Sequence, residues 1–547
     1  MIKSLLFYFF LPSLLLASKP EICLENSACY VGKWANTQNG TTYASFQGIR
    51  YAQPPVGMLR FKPPLPYIAT EGVHDVSGIA PWKCPQFNPL HWVTGEEDCL
   101  LLNIFVPASA FDNINVSLPV MVWIHGGSFI FGSNQPSSFG PSHFMDRDVI
   151  VVLVNYRLGP LGFLSLGTED VPGNAGLRDQ TMAFQWVNEN IASFGGDPSR
   201  ITIFGESAGS LSVGLHLLSP LSEGLFQRAI MESNDVIDPA WKAITMKNAL
   251  TYAEMFIKVF NCDESDDVLI CLQSQKMEDI LHNSNLVNLN DNYIWMPVIE
   301  DTIIENSFLP DDPEKLLKSG EFNKNVEVIL GSNEDEGILM VLNELRDPSL
   351  WENYRNNFGI LGPTYLFAIV NEVDITEHDV DKALQLMEYY IGSVDNFDSE
   401  HQQGAFDMFT DAGWLFGIHK MVNYLANHEV KVFQYILTYQ GQYSLTQFYG
   451  LDAVGVCHGD DLFYIWESLP LNEQDLAVSK TMADAWTNFA KYGDPTPDSK
   501  LSWTPVEAGM SDTIQFWNIS GPEPYMQTNS KLQERMDLWK HVMGNEL

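Results

Sequence analysis

Seven residues, FGESAGS from Phe204 to Ser210, set a serine between two glycines at the spacing Gly-x-Ser-x-Gly. A serine so placed can serve as a nucleophile when the chain turns sharply enough to hold its hydroxyl clear of the backbone, and small flanking residues permit that turn. The same short pattern arises by chance in many chains, so its surroundings must decide. Ser207 follows the β-branched run ITIFG and precedes AGSLSVGLHLL, a stretch able to form a helix. Strand, turn and helix therefore come in the order that a nucleophile elbow requires.

A serine hydroxyl attacks only when a histidine takes its proton, and that histidine needs a carboxylate to fix its tautomer and stabilise the imidazolium. On strand–turn–helix scaffolds the chain order is serine, acid, histidine. Of the twelve histidines, His378, His401, His419, His428, His458 and His541 lie in the C-terminal part of the chain. Only His458, in GVCHGDDL, falls in a glycine-flanked loop shortly after a strong apolar run; the others sit in polar or helical stretches, where a surface histidine is expected. The acid should also follow a strand, and VEVILGSNEDEG offers Glu334, Asp335 and Glu336. Residue types leave these three open, with two of them expected to be surface carboxylates. A tetrahedral intermediate further needs backbone donors for its oxyanion. WIHGGSF, Trp123 to Phe129, ends a strand in a glycine pair upstream of the serine, and the amide of Ala208 adjoins the nucleophile.

The elements that must carry these groups are legible as short runs rich in β-branched residues: VMVWIH from Val120, VIVVLVNY from Val149, ITIFG from Ile201, VEVILG from Val326 and VFQYILTY from Val432. Nearly continuous apolar strands with helical stretches between them predict an α/β fold whose mostly parallel sheet is covered on both faces. No internal repeat or low-complexity linker interrupts the chain, which is read as one catalytic domain. The terminal run KLQERMDLWKHVMG has the apolar spacing of a docked surface helix.

The 547 residues are 45% hydrophobic and 12% aromatic, the profile of a packed globular protein. MIKSLLFYFFLPSLLLASKP begins with a lysine and an apolar run from Leu5 to Leu16, followed by Ala17 and Ser18. Residues 1–17 read as a secretory signal peptide, because the run is shorter than the roughly 20 residues that span a bilayer. Its removal takes away Lys3 and moves the formal charge from −39 to −40. With no basic block to meet phosphate, nucleic acid is excluded as a partner, and no stable membrane span is expected. Seven cysteines in an exported chain suggest three disulfides, by nearest spacing Cys23 with Cys29, Cys84 with Cys99 and Cys262 with Cys271, leaving Cys457. Sequons at Asn39, Asn115 and Asn518 predict exposed glycans.

Taken together, the motifs GIRYAQPPVGMLRF, EDCLLLNIFVP, HGGSF, NYRLGPLGFLS, GNAGLRDQ, FGESAG, GSNEDEG and GVCHGDD resemble those of the type-B carboxylesterase family. That family of α/β-hydrolases also includes cholinesterases, juvenile hormone esterases, bile-salt-activated lipases and the non-catalytic neuroligins. The resemblance covers essentially all of residues 18–547 and implies a single α/β-hydrolase domain with a central, mostly parallel mixed sheet flanked by helices. It implies Ser207 as nucleophile, His458 as general base and acid, and Glu336 as third triad member. The oxyanion donors would be the amides of Gly127, Ser128 and Ala208, with Ser128 standing where many relatives have a third glycine.

The same resemblance makes Cys84–Cys99 and Cys262–Cys271 common family disulfides and Arg60 with Glu97 an ion pair beside the first. Glu206 matches a family position beside the nucleophile, read either as tuning the pocket's electrostatics or as a hydrogen-bonded structural acid, and Cys457 is expected to be an unpaired buried thiol. MESND replaces the usual residues after the elbow helix, around an acyl-pocket wall near Trp241, and Trp92 does not match a choline-binding tryptophan. The expectation is a secreted serine carboxylesterase acting on small-molecule carboxylic esters without metal or cofactor. Hormone esterase, cholinesterase, lipase and neuroligin-like adhesion are the alternatives, and a homodimer is left open.

Overall fold

Alternation along the central strands decides which residues face which layer. The computed structural model describes the chain apart from residues 1–18, 79–82, 88–91, 113–115, 240, 285–293, 301–303, 370–371, 498–501, 510–513 and 545–547. The expected signal peptide and the sequon at Asn115 therefore lie outside the described residues.

Eleven strands form one sheet: β1 (Lys33–Asn36), β2 (Thr42–Arg50), β3 (Leu101–Pro107), β4 (Leu118–Ile124), β5 (Ile150–Val154), β6 (Gly196–Glu206), β7 (Arg228–Glu232), β8 (Glu327–Asn333), β9 (Val432–Leu437), β10 (Gln515–Ile519) and β11 (Tyr525–Thr528). Their spatial order is β11-β10-β9-β8-β7-β6-β4-β5-β3-β2-β1. The run from β5 through β4 and on to β10 is parallel, whereas β1, β2, β3 and β11 join antiparallel. The five apolar runs legible in the sequence are β4, β5, β6, β8 and β9, five of the seven parallel strands.

In β4, Val120, Val122 and Ile124 enter one apolar cluster while Met121 and Trp123 enter another on the opposite face. The same division separates Ile203 from Phe204 in β6, Met231 from Ile230 in β7 and Leu330 from Ile329 in β8. Period-two alternation between two buried faces explains why these strands read as unbroken apolar runs. Helices α1 (Ala175–Asn190) and α2 (Ala208–Leu218) cover the first face through Phe184, Val187, Leu211 and Leu215. Helix α3 (Glu473–Tyr492) covers the second through Val478, Met482 and Trp486. Asn472 caps α3, accepting from the amides of Gln474 and Asp475, and Gly493 ends it in the left-handed conformation.

A third apolar cluster joins residues 338–416 to the terminal helix α4 (Ser530–Met543). Met536 and Trp539 of α4 are fully buried, and Arg535 pairs with the buried Asp411. The terminal helix is docked, as its spacing predicts.

Candidate active site

Strand β6 ends at Glu206, and α2 begins at Ala208. Between them Ser207 has φ 58° and ψ −123°. A non-glycine residue held there costs about 1–3 kcal/mol, so its surroundings must enforce it. Two hydrogen bonds do so: the Ser207 amide donates to the Glu232 carbonyl at 2.9 Å, and the Leu211 amide donates to the Ser207 carbonyl at 2.9 Å. The flanking glycines are required by close approach. A Cβ at Gly209 would lie 2.1 Å from the Ile124 carbonyl oxygen, and one at Gly205 would lie 2.6 Å from the same atom.

Beside the elbow, the loop after β4 carries three consecutive positive φ values, Gly127 at 103°, Ser128 at 52° and Phe129 at 61°. The Gly127 carbonyl accepts from the amides of Ile130 and Phe131, which closes the turn. His125 anchors its start: its ring stacks on Tyr156 at 4.5 Å, and its Nδ1–H donates to the Gly126 carbonyl at 2.8 Å. Burial pushes His125 down to about 4, so the ring is a neutral structural donor. Among the described residues, neither the Gly127 nor the Ser128 amide donates to a backbone carbonyl of the loop, and Ala208 opens helix α2, where a first-turn amide has no carbonyl of its own helix to meet. Gly126 brings this loop against the nucleophile, since a Cβ there would lie 3.1 Å from the Cβ of Ser207.

His458 lies between two carboxylates. Its Nδ1 meets Glu336 Oε2 at 2.6 Å, and its Nε2 lies 3.2 Å from Glu206 Oε1. Glu336 is wholly buried and its Oε1 accepts the Asn333 amide at 2.7 Å, so the acid is fixed by the strand end it follows. Burial disfavours the imidazolium, yet the charges of Glu206 and Glu336 outweigh it and raise His458 above the ordinary imidazole value. Glu206 is raised as well, first by burial and then by Asp461 and Glu336, with His458 opposing. The Trp414 ring packs 5.3 Å from the His458 ring, on a π-helical turn at Asp411–Leu415. Trp414 also neighbours Trp241, with ring centroids 6.2 Å apart.

The acids of the NEDEG turn divide by direction. Glu334 is exposed, but Asp335 is buried, contrary to the expectation of two surface carboxylates. Its Oδ2 accepts the Val456 amide at 3.0 Å, and its amide donates to the Val456 carbonyl at 3.0 Å. Asp335 thus pins the loop that carries His458. His419, expected at the surface, is buried at 4% exposure because its helix faces the core. Asn518 is also not a surface sequon: it sits in β10 at 6% exposure, bonded to Tyr525 and Gln527, so a glycan there has no room. Asn39 is exposed.

Disulfides join Cys23 to Cys29, Cys84 to Cys99 and Cys262 to Cys271, and Cys457 is a buried free thiol. Arg60 grips Glu97 through two contacts of 2.6 Å and also donates to the carbonyls of Gln273 and Gln275, tying two disulfide loops together. Trp92 is exposed at 70%. Sequence reasoning missed Trp414 and Asp461 near His458 and Glu232, whose carbonyl holds the Ser207 amide, because their places depend on strand register and on a helical irregularity; only the acidic pair after His458 in HGDDL hinted at Asp461.

A parallel-centred α/β sheet that carries a serine on a constrained strand–helix turn, next to a glutamate whose carboxylate lies 3.2 Å from a buried, carboxylate-paired histidine, has the architecture of an α/β hydrolase. The chain matches the Carboxylesterase family over residues 25–539. It is 36% identical to a juvenile hormone esterase of Tribolium castaneum over 522 residues, covering 90% of this chain and 86% of that protein. Venom carboxylesterase-6 of Apis mellifera is 32% identical, covering 94% and 93%. The crystal structure of juvenile hormone esterase from Manduca sexta, with OTFP covalently attached, superposes with a TM-score of 0.82 at 28% identity, covering 96% of this chain and 99% of that one. The chain belongs to the carboxylesterase family, and it is an enzyme, a carboxylic ester hydrolase.

Proposed function

We propose that the protein is a secreted serine carboxylesterase built as one domain over residues 18–547, in which Ser207 attacks an uncharged carboxylic ester. The observation that carries this reading is Ser207 on its constrained turn at the start of helix α2, with the Gly127–Ser128 loop brought against it by Gly126. His458 takes the hydroxyl proton as Oγ adds to the ester carbonyl, and the three amides receive the developing oxyanion. His458 then delivers that proton to the departing alcohol, leaving an acyl-enzyme on Ser207. Water, deprotonated by the same histidine, releases the acid and restores the serine. Glu336 holds Nδ1–H of His458 throughout, while Nε2 turns from Glu206 toward the serine oxygen, a tightening expected when substrate enters a free site.

Support for export comes from the leader-like residues 1–17, the three disulfides and the exposed sequon at Asn39. Among the described residues, no helix is long and apolar enough to cross a membrane.

The test is a rapid-quench assay of the purified full chain with p-nitrophenyl acetate and butyrate, beside Ser207→Ala. A stoichiometric burst, absent in the variant, is expected, with kcat lower by roughly 10⁶-fold. A variant that keeps full turnover overturns the assignment. A second reading, a juvenile hormone esterase, is favoured by the Tribolium and Manduca relatives. Turnover of terpenoid esters against choline and simple aliphatic esters separates the two.

A further inference from the structure

One buried side chain joins the loop closed by the Cys84–Cys99 disulfide to the loop that carries Gly127 and Ser128. Gln86, two residues after Cys84 and 5% exposed, turns its amide group onto Gly132. Its Oε1 accepts the Gly132 amide at 2.9 Å, and its Nε2 donates to the Gly132 carbonyl at 2.7 Å and to the Cys84 carbonyl at 2.9 Å. A backbone N–H only donates, so the Gly132 amide fixes which end of the glutamine group is oxygen. Both polar groups of the Gly132 backbone are thus met by one side chain, as a neighbouring antiparallel strand would meet them. The base from which Gln86 reaches is itself held: Gln86–Phe87 pairs antiparallel with Val93–Thr94, and the Glu96 amide donates to the Lys83 carbonyl at 2.9 Å beside the buried disulfide.

The second half-cystine is connected in the same manner. The Cys99 carbonyl accepts Asn155 Nδ2–H at 3.3 Å, while Asn155 Oδ1 accepts the Asn134 amide at 2.7 Å. Two amide side chains therefore carry the positions of the two cysteines to residues 132 and 134. Gly132 in turn is locked to the residues ahead of it. It sits at φ 121°, and a Cβ there would lie 2.2 Å from His125 Nδ1 and 2.7 Å from the Gly126 carbonyl oxygen, so the end of the loop rests on its own beginning. The amide of Phe131 donates to the Gly127 carbonyl at 3.1 Å, and a Cβ on Gly127 would lie 2.2 Å from the Phe131 carbonyl oxygen. In so close-packed a turn, a shift of Gly132 passes to Gly127 and Ser128.

We propose that Gln86 is a positioning residue for the oxyanion-binding amides: through Gly132 it holds the Gly127–Ser128 turn at a fixed distance from the Cys84–Cys99 disulfide. The proposal rests on the reading of the Gly127 and Ser128 amides as oxyanion donors. Gln86 acts through the backbone it grips and not on the ester. Its contribution is therefore to the transition state, where the carbonyl oxygen becomes an anion, and hardly to the binding of the uncharged substrate.

The experiment compares Gln86→Leu and Gln86→Glu with the unaltered protein, each as the purified full chain. Leucine removes all three hydrogen bonds; glutamate keeps the length and the acceptor for the Gly132 amide but sets an anionic oxygen against two carbonyls. With p-nitrophenyl butyrate, kcat is expected to fall about 10- to 100-fold in both, part of the worth of an oxyanion donor, while KM stays within about twofold. Inhibition by butylboronic acid, whose tetrahedral adduct on a serine puts an oxygen where the oxyanion forms, should weaken by the same factor as kcat. Hydrogen exchange across residues 126–134 should quicken in both variants. Met536→Ala, at a fully buried position of α4, is the stability match: it should lower the urea midpoint yet keep the original kcat and inhibition. Unchanged kcat in Gln86→Leu, a rise in KM with kcat intact, or an equal loss of kcat in Met536→Ala overturns the proposal. Exchange that stays at its original rate overturns it as well, and that reading needs no turnover. Absence of a burst in the unaltered protein sinks the esterase mechanism instead, so the two failures are told apart.

Discussion

Glu206 Oε1 stands 3.2 Å from His458 Nε2, on the side of the ring opposite the 2.6 Å contact with Glu336. The two acids are therefore not equivalent. In the proposed mechanism Glu336 meets the nitrogen that keeps its proton, and Glu206 meets the nitrogen that exchanges one. Glu206→Gln removes a negative charge that favours the imidazolium, so His458 loses its proton at lower pH. The acid limb of kcat/KM should move down by about one unit with the maximum changed modestly. Glu336→Gln leaves the ring without an anion on Nδ1, and kcat should fall on the order of 10⁴-fold. Steady-state profiles with one aliphatic ester decide both.

The loop of Gly126, Gly127 and Ser128 offers a geometric test. A Cβ on Gly126 would lie 2.7 Å from the Glu206 carbonyl and 2.8 Å from Glu206 Oε2, both within the elbow. Gly126→Ala should cost about 10²- to 10³-fold in kcat, the worth of a displaced oxyanion donor. Ser128→Gly should keep turnover, because its amide survives, and should gain up to about 1 kcal/mol by relieving a residue held at φ 52°. Burst kinetics and urea midpoints measure the two effects.

Glycan occupancy should follow burial. Asn39 is exposed, whereas Asn518 is enclosed in β10, so glycopeptide mapping of the exported protein should find sugar at Asn39 and none at Asn518. A glycan on Asn518 would show that β10 is not paired as described.

Cys457 is fully buried, with its amide donated to Asp460 Oδ2 at 2.9 Å, and burial raises its thiol well above the ordinary value. A thiol reagent should leave the native protein unlabelled and modify one cysteine per chain after denaturation without reductant. Labelling of native protein would place the thiol in a solvent-reachable pocket.

At the C-terminus, Arg535 answers the buried charge of Asp411. Arg535→Leu leaves that carboxylate unpaired and should lower stability by about 3–5 kcal/mol, read from the urea midpoint.

The residues alone determined the chemistry on offer and the parallel centre of the sheet. FGESAGS after an apolar run states a strand–turn–helix, and five such runs are five of the strands that both layers cover. Local patterns of this kind are legible because burial on two faces imposes them on neighbouring residues. β1, β2, β3, β7, β10 and β11 were not read; of these the antiparallel edge strands β1 and β11 are only half buried and mix polar with apolar positions. Only the tertiary structure decided how Glu334, Asp335 and Glu336 diverge from one turn, because adjacent carboxylates are identical in type and differ only in direction. Register likewise aligned Glu206, Glu232, Gly331 and Tyr435, residues far apart in the chain whose shared face follows from strand pairing. Spacing along a chain carries information about one element; the meeting of elements, and the charges enclosed between them, arises only when the sheet closes beneath its helices.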